Sequence, residues 1–148
     1  MPPRKARIPV VFDTNVIIGY YLSKIAKSAG ARIFRLWRYE RKLQLIVSED
    51  VVAEYFEILA RTGVAEPRVA HFKDQLREAS IVTHVNLGPR YNISRDPDDN
   101  VLLATAQAGN AEYLITNDYD LLDISARDKK RFRFAILKPT EFLAEFEN

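Results

Sequence analysis

Several acids in this chain stand where local structure gives only a partial reason for them. Asp13 closes the apolar run Ile8-Pro9-Val10-Val11-Phe12, and Asp118 follows the apolar run of residues 112–117. Both sit where a strand should stop. In α/β folds, ligands bind beyond the carboxyl ends of the strands. A lone strand-end aspartate is an ordinary turn or helix cap. Two of them, far apart in sequence, are candidates for one shared crevice. Glu54 lies three residues after Val51 and four before Ile58, on the inward side of an amphipathic segment. A carboxylate there carries a desolvation cost unless a cation or hydrogen-bond donors meet it. The plainer alternative is a glutamate at the edge of the stripe that reaches solvent or an arginine.

A fourth acid lies in Asp96-Pro97-Asp98-Asp99-Asn100, which reads as a helix start. Asp96 suits the N-cap, Pro97 the first helical position, and the helix dipole favours acids in the first turn. Asp99 shares its face with Leu102, Leu103 and Ala106 and should turn inward, whereas Asp98 is rotated outward. Asp96 remains an auxiliary candidate. After the later strand, Asp118 is closest to the strand end, and Asp120 is expected to cap a short helix.

Four gathered carboxylates repel, and some stay protonated unless something compensates them. Hard divalent cations remove that repulsion and prefer oxygen ligands. The chain has no cysteine and only two histidines, His71 and His84, both read as structural. Thiolate sites, disulfides and histidine-rich metal centres are thereby excluded. Mg²⁺ or Mn²⁺, as one or two ions, is the expected occupant. Such a centre can activate water and stabilise an in-line phosphodiester displacement.

The elements that must position these acids alternate in kind. Strands are expected at 8–13, 43–48, 80–85, 112–117 and 133–138. Helices are expected from near Asn15, then over 28–42, 50–62, 67–79, 97–109 and 139–146, with Gly63 stopping the third. This pattern is an α/β fold with a mostly parallel five-stranded sheet. The 148 residues fit one domain at 8–148, behind a disordered basic arm at 1–7. No apolar run is long enough to span a membrane, and the run after the basic start is too short for a signal peptide. A cytoplasmic protein is the default expectation. The net charge of +2 hides an asymmetry, because residues 1–47 hold ten basic and two acidic side chains. A basic region beside an acidic one suits an enzyme that attracts a polyanion and holds cations at its centre, although solvated faces explain it as well.

These residues resemble a known family. FDTNVII, SEDVVAEYFEIL, DPDDNVLLATA and LITNDYDLL, in this order, are similar to the four acidic motifs of the PIN domain. Within it, the chain resembles the VapC-like toxin nucleases of toxin–antitoxin pairs, from about residue 8 onward. The resemblance implies a three-layer α/β/α sandwich and metal-dependent cleavage of single-stranded RNA. It carries the catalytic and metal-binding acids onto Asp13, Glu54, Asp99 and Asp118, with Asn15 and Thr116 as polar support. It also implies a homodimer and a small antitoxin partner.

Two further features are open to more than one reading. Arg32, Arg35, Arg38 and Lys42 line one face of the 28–42 helix, for RNA, for an acidic antitoxin tail, or for solvent. Tyr20 and Tyr21 suit base stacking, the core or a dimer contact. The basic run at 127–133 reads as a loop. A phosphoacceptor receiver is the rival from another class, because Lys138-Pro139 resembles its lysine motif. A receiver needs paired acids near its first strand and an acid at a middle strand end, whereas here the first strand has one acid and the strand at 80–85 ends without any. A catalytically silent PIN-like RNA-binding module is the other alternative.

Overall fold

The computed structural model describes residues 6–23, 28–87, 97–124 and 126–147. Five parallel strands form one sheet: β1 (Ile8–Phe12), β2 (Leu43–Val47), β3 (Val82–His84), β4 (Tyr113–Ile115) and β5 (Ala135–Leu137). Their order across the sheet is β3-β2-β1-β4-β5. The chain moves outward one way through β2 and β3, then returns past β1 to build β4 and β5. The reversal places a topological switch point between β1 and β4, where strand-end loops diverge and leave a crevice. Val10 pairs with Tyr113 and Phe12 with Ile115, so β1 and β4 end side by side.

The helices are α1 (Thr14–Leu22), α2 (Ala29–Arg38), α3 (Glu49–Arg61), α4 (Glu66–Gln75), α5 (Pro97–Ala108), α6 (Tyr119–Leu122), α7 (Ala126–Lys129) and α8 (Pro139–Phe146). Helix α5 packs on β1, β2 and β4, while α2 packs on β2 and against α8. Together the strands and helices form the three-layer α/β/α arrangement expected from the sequence. Strands β1 and β2 are apolar and largely buried, as expected for strands covered on both faces. The aromatic core joins Phe12, Phe34, Trp37, Tyr55 and Phe72, all fully buried.

Local chemistry sets the helix ends. Ser28 and Ser48 cap α2 and α3 through their hydroxyls. Gly63, at φ +72°, follows the C-cap of α3 in the left-handed region that glycine tolerates. After α5, Gly109 is required by space, since a Cβ there would lie 2.3 Å from Ile46 Cγ2 on β2.

Three expectations change. The 28–42 helix ends at Arg38: Glu40 N–H bonds Arg35 O, Lys42 N–H bonds Leu36 O, and Arg41 turns left-handed at φ 56°. Lys42 is therefore off the helix. The basic run begins inside a short helix, α7, rather than a loop. Of the basic arm, residues 1–5 lie outside the described residues, while Arg7 is tied down by its Nε–H to Arg41 O at 3.0 Å. Among the described residues, no helix is long and apolar enough to cross a membrane.

Candidate metal centre

Asp13 leaves β1 in extended conformation (φ −64°, ψ 150°) at the start of α1, and it is only 7% exposed. Its N–H donates to Ile115 O at 2.9 Å, which locks the end of β1 to the end of β4. Thr116, wholly buried, stands between the two strand-end acids. Its hydroxyl donates to Asp13 Oδ2 at 2.7 Å and accepts from Asp118 N–H at 2.9 Å. Asn15 adds a second clamp: Nδ2 donates to Asp13 Oδ2 at 3.2 Å, and Oδ1 accepts from Asn117 N–H at 3.2 Å.

Asp99 comes from the first turn of α5 and is 3% exposed, in line with Leu102, Leu103 and Ala106 beneath it. Carboxylate oxygens of Asp13, Asp99 and Asp118 lie within 4.8 Å of one another. Three acids from three separate elements thus face one point beyond the switch point. Asp118 is also the N-cap of α6, where Oδ1 accepts from Asp120 N–H at 2.9 Å. The expected cap role of Asp120 therefore belongs to Asp118. The cap uses one carboxylate oxygen and leaves the other available.

Glu54 stands beside this trio rather than within it. Thr14 Oγ1 donates to Glu54 Oε2 at 3.0 Å, tying the acid to the residue after Asp13. Asp96 lies outside the described residues. Sequence reasoning missed the Thr14 contact, although Thr14 sits inside the quoted FDTNVII motif. It also missed Tyr55, whose hydroxyl donates to Phe12 O under the site. Complete burial raises the Tyr55 phenol, and the charges of Asp13 and Glu54 add to the shift, so it stays a neutral donor.

Burial holds the Asp13 carboxyl above its usual range. The Thr116 hydrogen bond opposes this, and the Asp118 charge reinforces it. Oxygen-only donors with one carboxyl pushed up by desolvation and a like charge are chemistry that a hard cation satisfies. Asp13, Asp99 and Asp118 fit a divalent ion as direct ligands, with Glu54 adjacent.

A family model described as "PIN domain" matches residues 9–120. The chain belongs to the PIN-domain family. An uncharacterised protein of Methanocaldococcus jannaschii is 29% identical to this PIN domain over 154 residues, covering 97% of the chain and 94% of the relative. The crystal structure of VapBC2 from Rickettsia felis, bound to a DNA fragment from their promoter, shares the fold. Its TM-score is 0.57 at 13% identity, over 88% of this chain and 98% of that one. The family match displaces the receiver alternative.

The basic residues expected along the 28–42 helix do not share one exposed face. Arg38 is 6% exposed. Its guanidinium bonds Gln75 and the hydroxyls of Tyr20 and Tyr21. Arg32 pairs with Glu40, and with Glu147 at 2.9 Å. Only Arg35 and Lys42 of the expected stripe are exposed, and Lys42 lies at the amino edge of the sheet, remote from the aspartates. Tyr20 stacks on Phe34 at 4.0 Å and Tyr21 is buried, so these rings belong to the core rather than to bases.

Proposed function

We propose that this PIN domain is a Mg²⁺- or Mn²⁺-dependent endoribonuclease of single-stranded RNA and the toxin of a toxin–antitoxin pair. The observation that carries the reading is the convergence of Asp13, Asp99 and Asp118, two of them buried, at the switch point of a parallel sheet. Buried like charges are costly to assemble, and a fold that nevertheless assembles them needs a cation-dependent use for them. A bound divalent ion supplies charge neutralisation at phosphate and a more acidic bound water.

The chain's own residues do the rest. Thr116 and Asn15 fix the rotamer of Asp13. Thr116 and the cap to Asp120 N–H fix Asp118. Thr14 holds Glu54 beside the aspartates, where it would serve as a proton acceptor. The likeness to VapBC2 supports a small antitoxin as partner, and the family resemblance carries the homodimer.

The test is cleavage of single-stranded RNA by purified protein with Mg²⁺, with Mn²⁺ and with chelator. Cleavage should require metal and vanish in Asp13→Asn. Undiminished cleavage after chelation sinks the metal centre. RNA binding without any cleavage in Mn²⁺ makes the protein the silent RNA-binding module instead.

A further inference from the structure

The aspartate centre leaves Lys138 and Tyr119 unused. Lys138 follows β5, so it lies on the same carboxyl edge as Asp13 and Asp118. It lines a cleft of about 210 Å³ together with Val16, Gly19, Ser28, Asn117 and Thr140. Asn117 is also the residue whose N–H bonds Asn15 Oδ1, and Asn15 Nδ2 holds Asp13. Cleft and metal centre therefore share a wall.

Tyr119 follows Asp118 directly and begins α6. It is 61% exposed, one of three large apolar side chains among the described residues that are. Leaving such a ring in water forgoes the free energy of burying it. Its position is nevertheless defined: Lys138 Nζ lies 3.1 Å from the phenol oxygen and 4.7 Å from the ring centroid. The ammonium is thereby fixed between an exposed aromatic ring and a cleft with hydroxyl and amide groups on its rim.

An exposed ring, a fixed ammonium and polar rim groups beside a phosphodiester centre are the parts that single-stranded RNA recognition uses. Bases stack on aromatic faces without sequence preference, phosphates take the cation, and 2′-hydroxyls and base edges take the rim groups. We propose that this cleft is the subsite for the nucleotide adjoining the scissile phosphate, with Tyr119 as its stacking platform and Lys138 as its phosphate contact. Its place in a reaction rests on the ribonuclease reading; its ability to bind RNA does not.

The experiment uses the full chain carrying Asp13→Asn, so that a labelled oligoribonucleotide of roughly ten nucleotides stays intact. In this background Tyr119→Trp adds an exposed indole, while Trp37, buried and bonded to Ile81 O, supplies a constant signal. RNA should quench the added emission. Tyr119→Ala should weaken binding about tenfold and Tyr119→Phe far less, because stacking needs only the ring. Lys138→Gln should lower the slope of log affinity against log salt by about 0.7. Tyr39→Ala, at an equally exposed ring on the amino edge, should change nothing.

In the unmodified background, Tyr119→Ala should raise KM and leave kcat close to its original value. Absence of quenching, with Tyr119→Ala and Tyr39→Ala both binding as the parent does, overturns the subsite. If wild-type protein still cleaves in Mn²⁺, the ribonuclease reading survives that result. If nothing is cleaved but binding depends on Tyr119, the cleft stands as an RNA-binding site and the ribonuclease reading falls. Should Tyr119→Ala fail to fold, the quenching of Tyr119→Trp and the salt slope of Lys138→Gln decide.

Discussion

At the carboxyl edge of the sheet, Asp13, Asp99 and Asp118 face one another across less than 5 Å. On α2, Arg32 and Arg38 face partners of other kinds: two glutamates for one, and a glutamine and two phenols for the other. Both sets stood out in the sequence as charged residues at regular or unexpected places. The difference lies in what surrounds them. A long arginine side chain can bury its stem, stack on rings and find acceptors, so a buried guanidinium often serves the fold. A short aspartate cannot reach away from its neighbours, and three of them together stay costly until a cation arrives.

The largest expected effect is at the acids. Asp13→Asn keeps the shape and should lower RNA cleavage by about three orders of magnitude, the scale of several kcal/mol of charge stabilisation. Without metal the same variant should melt at the same temperature or higher, because one source of repulsion is gone. Mn²⁺ at a hundredfold excess over its dissociation constant should stabilise wild type by about 2.7 kcal/mol and the variant much less. Equal metal stabilisation of both proteins would move the ion elsewhere.

The next effect is at the arginine and has the opposite pattern. Arg38→Ala removes a buried guanidinium from Gln75, Tyr20 and Tyr21, and should cost about 2–3 kcal/mol of stability. RNA affinity per folded molecule should not change. A loss of affinity with an unchanged melting curve would restore Arg38 to an RNA-binding face and break the contrast.

Titration sharpens the comparison further. The folded carboxyl of Asp13 is raised above its ordinary value of 3.8. The folded state therefore holds this proton more tightly than the unfolded chain. The contribution of Asp13 to metal-free stability should be full below that value and should be lost as pH rises through the window up to the raised one. Asp13→Asn should flatten this segment in melting curves taken across acidic pH, and a segment of unchanged slope would remove Asp13 from the explanation. The smallest effect belongs to Arg32→Ala. Its ion pairs are partly exposed, and their loss should shift the melting temperature only slightly, and less at high salt. A larger, salt-independent loss would show Arg32 to be as structural as Arg38.

What the sequence by itself determined is local and periodic. Apolar runs announced β1 and β2, Gly63 marked the end of α3, and the helical period turned Asp99 inward with Leu102, Leu103 and Ala106. These are decided by neighbours within one element, and neighbours are written in order along the chain. The strand-end acids were legible because apolar patterning stops where a parallel strand meets its loop.

Tertiary structure decided the rest. No spacing says that Thr116 bridges Asp13 and Asp118, 103 residues apart for the first of these bonds. Nor does any spacing place Glu54 behind Thr14, or wrap Arg38 in Tyr20 and Tyr21. The arginine stripe was a true helical pattern, but a period identifies only which residues share a face. Whether that face meets water, RNA or the aromatic core depends on where β2 and α4 lie. Burial, pairing and a raised carboxyl are properties of groups brought together from distant positions, which the order of the sheet supplies and the linear pattern does not.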